Sequence, residues 1–160
     1  MSTPDIERSK DHIPELSKQF ATFFIDDRLY GIDVMEVQEV TQALTPTAIR
    51  LAPTDVKGLI NLRGQIVTAI GLRELFGLTR ATKQVESQAS VVCRIEGNLV
   101  ALLVDRIGDV VEARPSDFEA TPSTIDPKLG KFMAGVYKTS GPILSVLKIE
   151  SISSELNSKR

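Results

Sequence analysis

Apolar and polar positions alternate with period two along most of the chain, the pattern of strands that present two distinct faces. Ala21, Phe23 and Ile25 interleave with Phe20, Thr22 and Phe24. Asp26-Asp27-Arg28 interrupts the run, and Leu29-Tyr30-Gly31-Ile32 supplies a return strand. The same order recurs at Ser90 to Ile95, a turn at Glu96-Gly97-Asn98, and a return at Leu99 to Val104. Gly97 and Asn98 tolerate the positive φ that tight hairpin turns often require. Leu59-Ile60 and Ile66-Val67 flank a further turn at Asn61 to Gly64. Helical signals are short: Asp33 to Val37, Leu72 to Phe76 before Gly77, and Ser151 to Leu156. Met1 to Lys18 is charged and lacks apolar periodicity; it reads as a mobile tail, with at most a short helix around Pro14 to Lys18.

The elements repeat. Lys57 to Leu75 lies on Met133 to Ile152 at an offset of 77, placing Gly58 on Gly135, Gly64 on Gly141, Leu72 on Ile149 and Leu75 on Ile152. Upstream, an offset of 70 places Phe23 on Cys93, Ile25 on Ile95, Val37 on Ile107 and Val40 on Val110. The matches are mostly apolar, so unrelated β hairpins could also produce them, and duplication stands beside that alternative. Duplication predicts two small β-barrels, each too small to bury its own core, packed against each other. The expected organisation is a tail over 1–18 and one domain over 19–157, with repeat halves at about 20–77 and 90–154.

A chain of 160 residues with 42% hydrophobic and 25% charged residues is ordinary for a globular domain. Its net charge of −2 provides no general attraction to nucleic acid or anionic membranes. Apolar runs such as Val100 to Val104 are too short to span a bilayer, so no direct membrane insertion is expected. Met1 to Asp11 contains no apolar core of a secretory signal, and the single cysteine, Cys93, fits a reducing compartment. These features point to the cytoplasm.

Candidate chemistry is sparse. The one histidine, His12, lies in the expected tail, which argues against catalytic triads and histidine-based metal sites. Neither a phosphate-binding glycine loop nor a dinucleotide fingerprint follows any strand, and no cofactor is implied. Asp26-Asp27 reads as turn chemistry and Cys93 as a buried small hydrophobe. Single-strand nucleic-acid binding would need exposed aromatics interleaved with lysine and arginine, yet Phe20, Phe23 and Phe24 have no basic residue among them. A catalytic role is therefore not expected.

The most specific stretch runs from Tyr30 to Gly77. It holds Tyr30-Gly31-Ile32-Asp33, Val37-Gln38-Glu39-Val40, Val56-Lys57-Gly58-Leu59-Ile60-Asn61-Leu62-Arg63-Gly64 and Gly71-Leu72-Arg73-Glu74-Leu75-Phe76-Gly77. Taken alone, Arg63 is an exposed turn residue. The ordered series, continued through Leu103-Val104-Asp105, Ile107, Asp109-Val110-Val111 and Gly135-Val136, resembles the CheW-like family of chemotaxis coupling proteins from Gln19 to Leu156.

The resemblance implies an all-β fold with a few short helices, built as two interlocked five-stranded SH3/OB-like β-barrels. It also implies a non-catalytic adaptor. The implied partners are the regulatory domain of a CheA-type histidine kinase and the cytoplasmic tip of methyl-accepting chemotaxis receptors. Receptor-facing positions of the family fall on Val37, Glu39, Gly58, Asn61 and Arg63. Glu39 and Arg63 are opposite in charge and are expected to pair. Val37 also has a reading as barrel core, and Gly58 as a backbone requirement. No kinase-contact residue is assigned. Two positions depart from the family pattern: Gly71 and Lys148 stand where aspartate is common, and loss of the cap at Gly71 removes about 1 kcal/mol from the helix starting at Leu72. Alternatives are an adaptor of a chemosensory pathway with another output, such as surface motility or gene regulation, and a β-barrel that binds single-stranded nucleic acid.

Overall fold

A computed structural model describes residues 16–42, 45–78 and 89–158. Residues 1–15, with His12 and the first two positions of the helix expected around Pro14 to Lys18, lie outside those residues. Lys18 already opens the first strand.

Among the described residues twelve strands form in chain order: β1 (Lys18–Ile25), β2 (Arg28–Asp33), β3 (Val37–Gln42), β4 (Val56–Leu62), β5 (Gln65–Gly71), β6 (Ala89–Ile95), β7 (Asn98–Val104), β8 (Arg106–Ile107), β9 (Val111–Ala113), β10 (Phe118–Glu119), β11 (Met133–Tyr137) and β12 (Leu144–Leu147). Three short helices accompany them: α1 (Leu72–Leu75), α2 (Pro127–Gly130) and α3 (Ile149–Ser158). The helical signal at Asp33 to Val37 yields only a single 3-10 turn over Val34–Glu36, because Asp33 caps it through Met35 and Val37 returns to extended backbone. Positive φ in the second hairpin falls on Glu96 and Gly97, while Asn98 already begins β7.

The strands form two sheets. One is ordered β3-β6-β7-β5-β4, and the other β10-β11-β12-β2-β1-β8, with β9 also on β1. Neither sheet belongs to one half of the chain. The hairpin β1–β2 adds in parallel to β12, and β6–β7 adds in parallel to β5. Thr68 and Ala69 pair with Val100 and Ala101. The residues 77 and 70 positions away, Ser145 and Val146 with Tyr30 and Gly31, pair in the same way. Phe23 pairs with Tyr30 as Cys93 pairs with Val100, and Val37 with Cys93 as Ile107 with Phe23. Register thus repeats at the two offsets found in the sequence.

The second sheet has seven strands where five were expected. Its edge next to β1 is broken into β8 and β9, which together correspond to β3. β10 adds a short pairing to β11, and its counterpart beside β4 is the isolated bridge between Thr47 and Leu59.

Strand parity decides which core each side chain enters. Phe23, Ile25, Val91, Cys93, Ile95, Val100, Leu102 and Val104 enter the main core between the sheets, which Leu72 and Leu75 of α1 and Ile149 and Ile152 of α3 close. The opposite faces fill two smaller cores. Phe20, Leu29, Tyr137 and Leu144 form one, and Ile60, Val67, Ala69, Val92 and Ala101 the other. Rings continue the main core across both halves: Phe23 to Tyr30 at 5.8 Å, Tyr30 to Phe76 at 5.5 Å, and Phe76 to Phe132 at 5.6 Å between centroids.

Because the main core belongs to both halves, they should unfold together. The chain has two tyrosines, Tyr30 in one half and Tyr137 in the other. Variants Tyr30→Phe and Tyr137→Phe, each leaving one tyrosine as a fluorescent probe, are expected to show the same urea midpoint by fluorescence as by far-UV circular dichroism. Separated midpoints would show that the halves melt independently.

Candidate partner-binding surface

β4 and β5 are joined by Arg63 and Gly64, both at positive φ (53° and 84°), a geometry that matches the twist of a two-residue hairpin. Glycine adopts it freely, whereas Arg63 does so at a cost. Asn61 offsets part of that cost by accepting the Gly64 N–H on Oδ1 at 3.0 Å. The turn therefore holds the Arg63 side chain outward, 79% exposed.

β3 and β4 are the two ends of the five-stranded sheet. Glu39 of β3 and Arg63 beyond β4 meet with Oε2 and Nη2 3.2 Å apart, so the expected pair forms and spans the seam between those ends. A pair this open to water contributes no more than about 1 kcal/mol. Val37, two residues before Glu39, is half-buried and packs on the main core. Val40, next to Glu39 on β3, remains 44% exposed.

Gly58 answers to a different constraint. It sits beside a β-bulge at φ 140°, and a β-carbon there would overlap the Thr47 carbonyl oxygen. The Thr47 N–H and C=O bond with Leu59 in this close approach. Asn61, Arg63 and Glu39 thus meet at one corner, Val37 turns into the main core, and Gly58 stands further along β4 against the segment carrying Thr47.

A second cluster escaped the sequence reading. Arg73 of α1 grips Asp26 with both guanidinium nitrogens, at 3.0 and 2.7 Å, and reaches Asp105 Oδ2 at 2.6 Å. The Asp26 N–H donates to the same Asp105 oxygen at 2.7 Å. The group ties the first hairpin turn, α1 and the end of β7 together; Arg73 and Asp105 are 12% and 14% exposed, while Asp26 at its outer side is 45% exposed. The hydrogen bond to Asp26 raises the already high Arg73 pKa. Asp26 is a turn residue, as its sequence suggested, but also a ligand of this clasp. The signal available was the appearance of Arg73 and Asp105 in the recognised motifs and of Asp26 in the turn before them.

The departure at Gly71 has a packing explanation. Gly71 caps α1 without a side-chain bond. The Glu74 carboxylate folds back into the place where a Gly71 β-carbon would lie, held by Lys57 Nζ at 2.8 Å. Its negative charge remains near the helix start, where it is favourable. Cys93 is fully buried, and burial pushes its thiol up to about 12, so it offers no thiolate at neutral pH.

These arrangements separate by their energetics. Gly58→Ala is expected to lose about 3 kcal/mol through backbone strain and overlap. Arg63→Ala should lose less than about 1 kcal/mol. Both are read by urea unfolding; a loss from Arg63→Ala equal to that of Gly58→Ala would make the turn arginine a folding element. Arg73→Ala should lose about 2 kcal/mol because Asp26 and Asp105 lose their shared cation, Asp105 keeping only the Asp26 N–H. At about 1 M salt, where screening acts over roughly 3 Å, the small Arg63→Ala difference should vanish and the Arg73→Ala difference persist. Loss of both would mean that the clasp is as solvated as the seam pair.

The CheW-like domain family matches residues 19–157. A chemotaxis protein CheW of Treponema pallidum is 30% identical over 137 residues, covering 84% of this chain and 81% of its own length. One of Helicobacter pylori is 28% identical over 144 residues, covering 90% and 86%. Among solved structures, the scaffolding protein TtCheW from Thermoanaerobacter tengcongensis matches with a TM-score of 0.72 and 29% identity, over 83% of this chain and 90% of that one. With the fold shared with that structure and a family match over residues 19–157, this protein belongs to the CheW-like family of chemotaxis scaffold proteins.

Proposed function

We propose that this protein is a non-catalytic, cytoplasmic adaptor that couples methyl-accepting chemoreceptors to the regulatory domain of a CheA-type histidine kinase. The observation that carries the reading is the Glu39–Arg63 pair at the seam of the five-stranded sheet, with half-buried Val37 on the same strand and exposed Val40 beside it. A receptor tip is a helical hairpin, whose apolar stripe would lie along that seam while the charged pair selects its orientation. Val37, Glu39, Asn61 and Arg63 make the surface, and Gly58 gives β4 the close approach it needs. Among the described residues no helix is long and apolar enough to cross a membrane, so a place at the membrane would come through the receptors. Signal transmission requires that the adaptor bind the two states of the receptor–kinase assembly unequally.

Calorimetric titration against the kinase regulatory domain, and separately against a receptor tip fragment, tests this reading. Micromolar or tighter kinase binding is expected. Arg63→Ala should weaken receptor binding about tenfold, equivalent to 1.4 kcal/mol, and leave kinase binding unchanged. Exchanging the charges with Glu39→Arg and Arg63→Glu together should recover part of the loss if the pair orients the surface. No kinase binding at high concentration would overturn the adaptor role, and unchanged receptor binding by Arg63→Ala would move the receptor face elsewhere.

A further inference from the structure

The hairpins β4–β5 and β11–β12 correspond at the offset of 77 and share a register, Ile60 pairing with Val67 as Tyr137 pairs with Leu144. Beyond that pair they part. The first continues through Asn61 with Ile66 and Leu62 with Gln65, and closes on Arg63 and Gly64. The second opens at once, and Lys138 to Ile143 join β11 to β12. There Thr139 Oγ1 accepts the Gly141 N–H at 3.0 Å and donates to the Pro142 carbonyl at 2.6 Å. Ser140 and Gly141 stand in the places of Arg63 and Gly64, and neither is at positive φ.

The fold therefore accepts this corner without a left-handed residue. The hairpin turns at Asp26 and Glu96, related by the offset of 70, are the opposite case. Both residues are at positive φ, 55° and 51°, so that geometry recurs in the two halves. At Arg63 it is confined to one. A strained backbone at a residue other than glycine, kept where the matching corner does without it, points to a task outside folding. Arg63 is held there from two sides. Asn61 Oδ1 accepts the Gly64 N–H at 3.0 Å and closes the turn behind the arginine, while Glu39 Oε2 meets the guanidinium at 3.2 Å across the seam. A short carboxamide that bonds its own backbone in this way stabilises the turn it opens.

We infer that Asn61 is a positioning residue: by holding the Gly64 N–H it keeps Arg63 in the left-handed turn that presents the guanidinium, and it acts on a bound receptor only through Arg63. The latch belongs to the turn itself; its effect on a receptor rests on the reading that Arg63 faces one. A side chain that touched the receptor on its own would add its effect to that of Arg63, whereas one that works through Arg63 cannot. Aspartate at this position keeps the acceptor oxygen and loses the amide donor, so it separates the latch from a contact made by the amide.

Two measurements on the full chain test the latch. Amide hydrogen exchange followed by nuclear magnetic resonance reads the turn: Asn61→Ala should speed exchange at Gly64 about tenfold, and Asn61→Asp should keep it near the parent rate. Calorimetric titration with the receptor tip fragment reads the surface: Asn61→Ala should weaken binding about fivefold, and Asn61→Asp should recover most of that loss. Asn61→Ala combined with Arg63→Ala should bind no more weakly than Arg63→Ala alone, and kinase binding should be the same in all of them. Unchanged Gly64 exchange in Asn61→Ala would overturn the proposal. So would a double variant weaker than Arg63→Ala by the factor that Asn61→Ala shows alone, or receptor binding that Arg63→Ala weakens and Asn61→Ala does not. Faster Gly64 exchange in Asn61→Ala beside unchanged receptor binding by Arg63→Ala would uphold the latch and overturn the receptor face.

Discussion

A unit of about sixty residues built from two β hairpins has more apolar strand surface than it can cover by itself. Here the first hairpin of each half, β1–β2 and β6–β7, finishes the sheet of the other. β2 lies parallel to β12 and β5 parallel to β7. These two parallel contacts allow every central strand to bury both faces, one against the opposite sheet and one inside its own. The main core, the ring series from Phe23 to Phe132 and the closure by α1 and α3 all follow from that exchange.

The same exchange explains where recognition surfaces arise. Each sheet ends in strands that the crossing cannot pair, and the seam between β3 and β4 is one such place. Among the described residues Thr47 bonds the β4 edge at Leu59, and at the rim a charged pair joins β3 to the β4–β5 turn. A seam of this kind combines rigid walls with groups that can change partners at little cost in stability. The clasp at Arg73 is the opposite case. It is half-buried, shared by three elements and tied by four hydrogen bonds, and it contributes to holding the fold.

Much of this was legible because alternation and repetition are local or nearly so. The odd positions Phe23, Ile25, Cys93 and Ile95 differ in fate from Phe20, Thr22, Ser90 and Val92, and the offsets of 70 and 77 carry over to the strand registers. The Glu39–Arg63 pair was readable because its partners carry opposite charge within a recognised series. The rest was hidden for physical reasons. β8 and β10 have two residues each, too few for any period, and exist because β1 and β11 offer open edges. The union of Asp26 with Arg73 and Asp105 joins positions 47 and 79 residues apart, so no spacing announces it. The Glu74 carboxylate over Gly71 is visible only once Lys57 is placed beside it.

The crossing of hairpins also has a consequence in time. β2 ends at Asp33 and waits for β12, which begins at Leu144. At about 5–20 residues per second, a ribosome leaves that edge without its neighbour for roughly 5–20 s. During this interval Tyr30 and Ile32 have no finished core to enter. Contacts so distant in sequence also make the later folding steps slow. A nascent chain of this kind depends on whatever shields an unpaired strand edge during synthesis, and a shortage of that shielding would lower the yield of folded protein without altering any contact in the finished molecule.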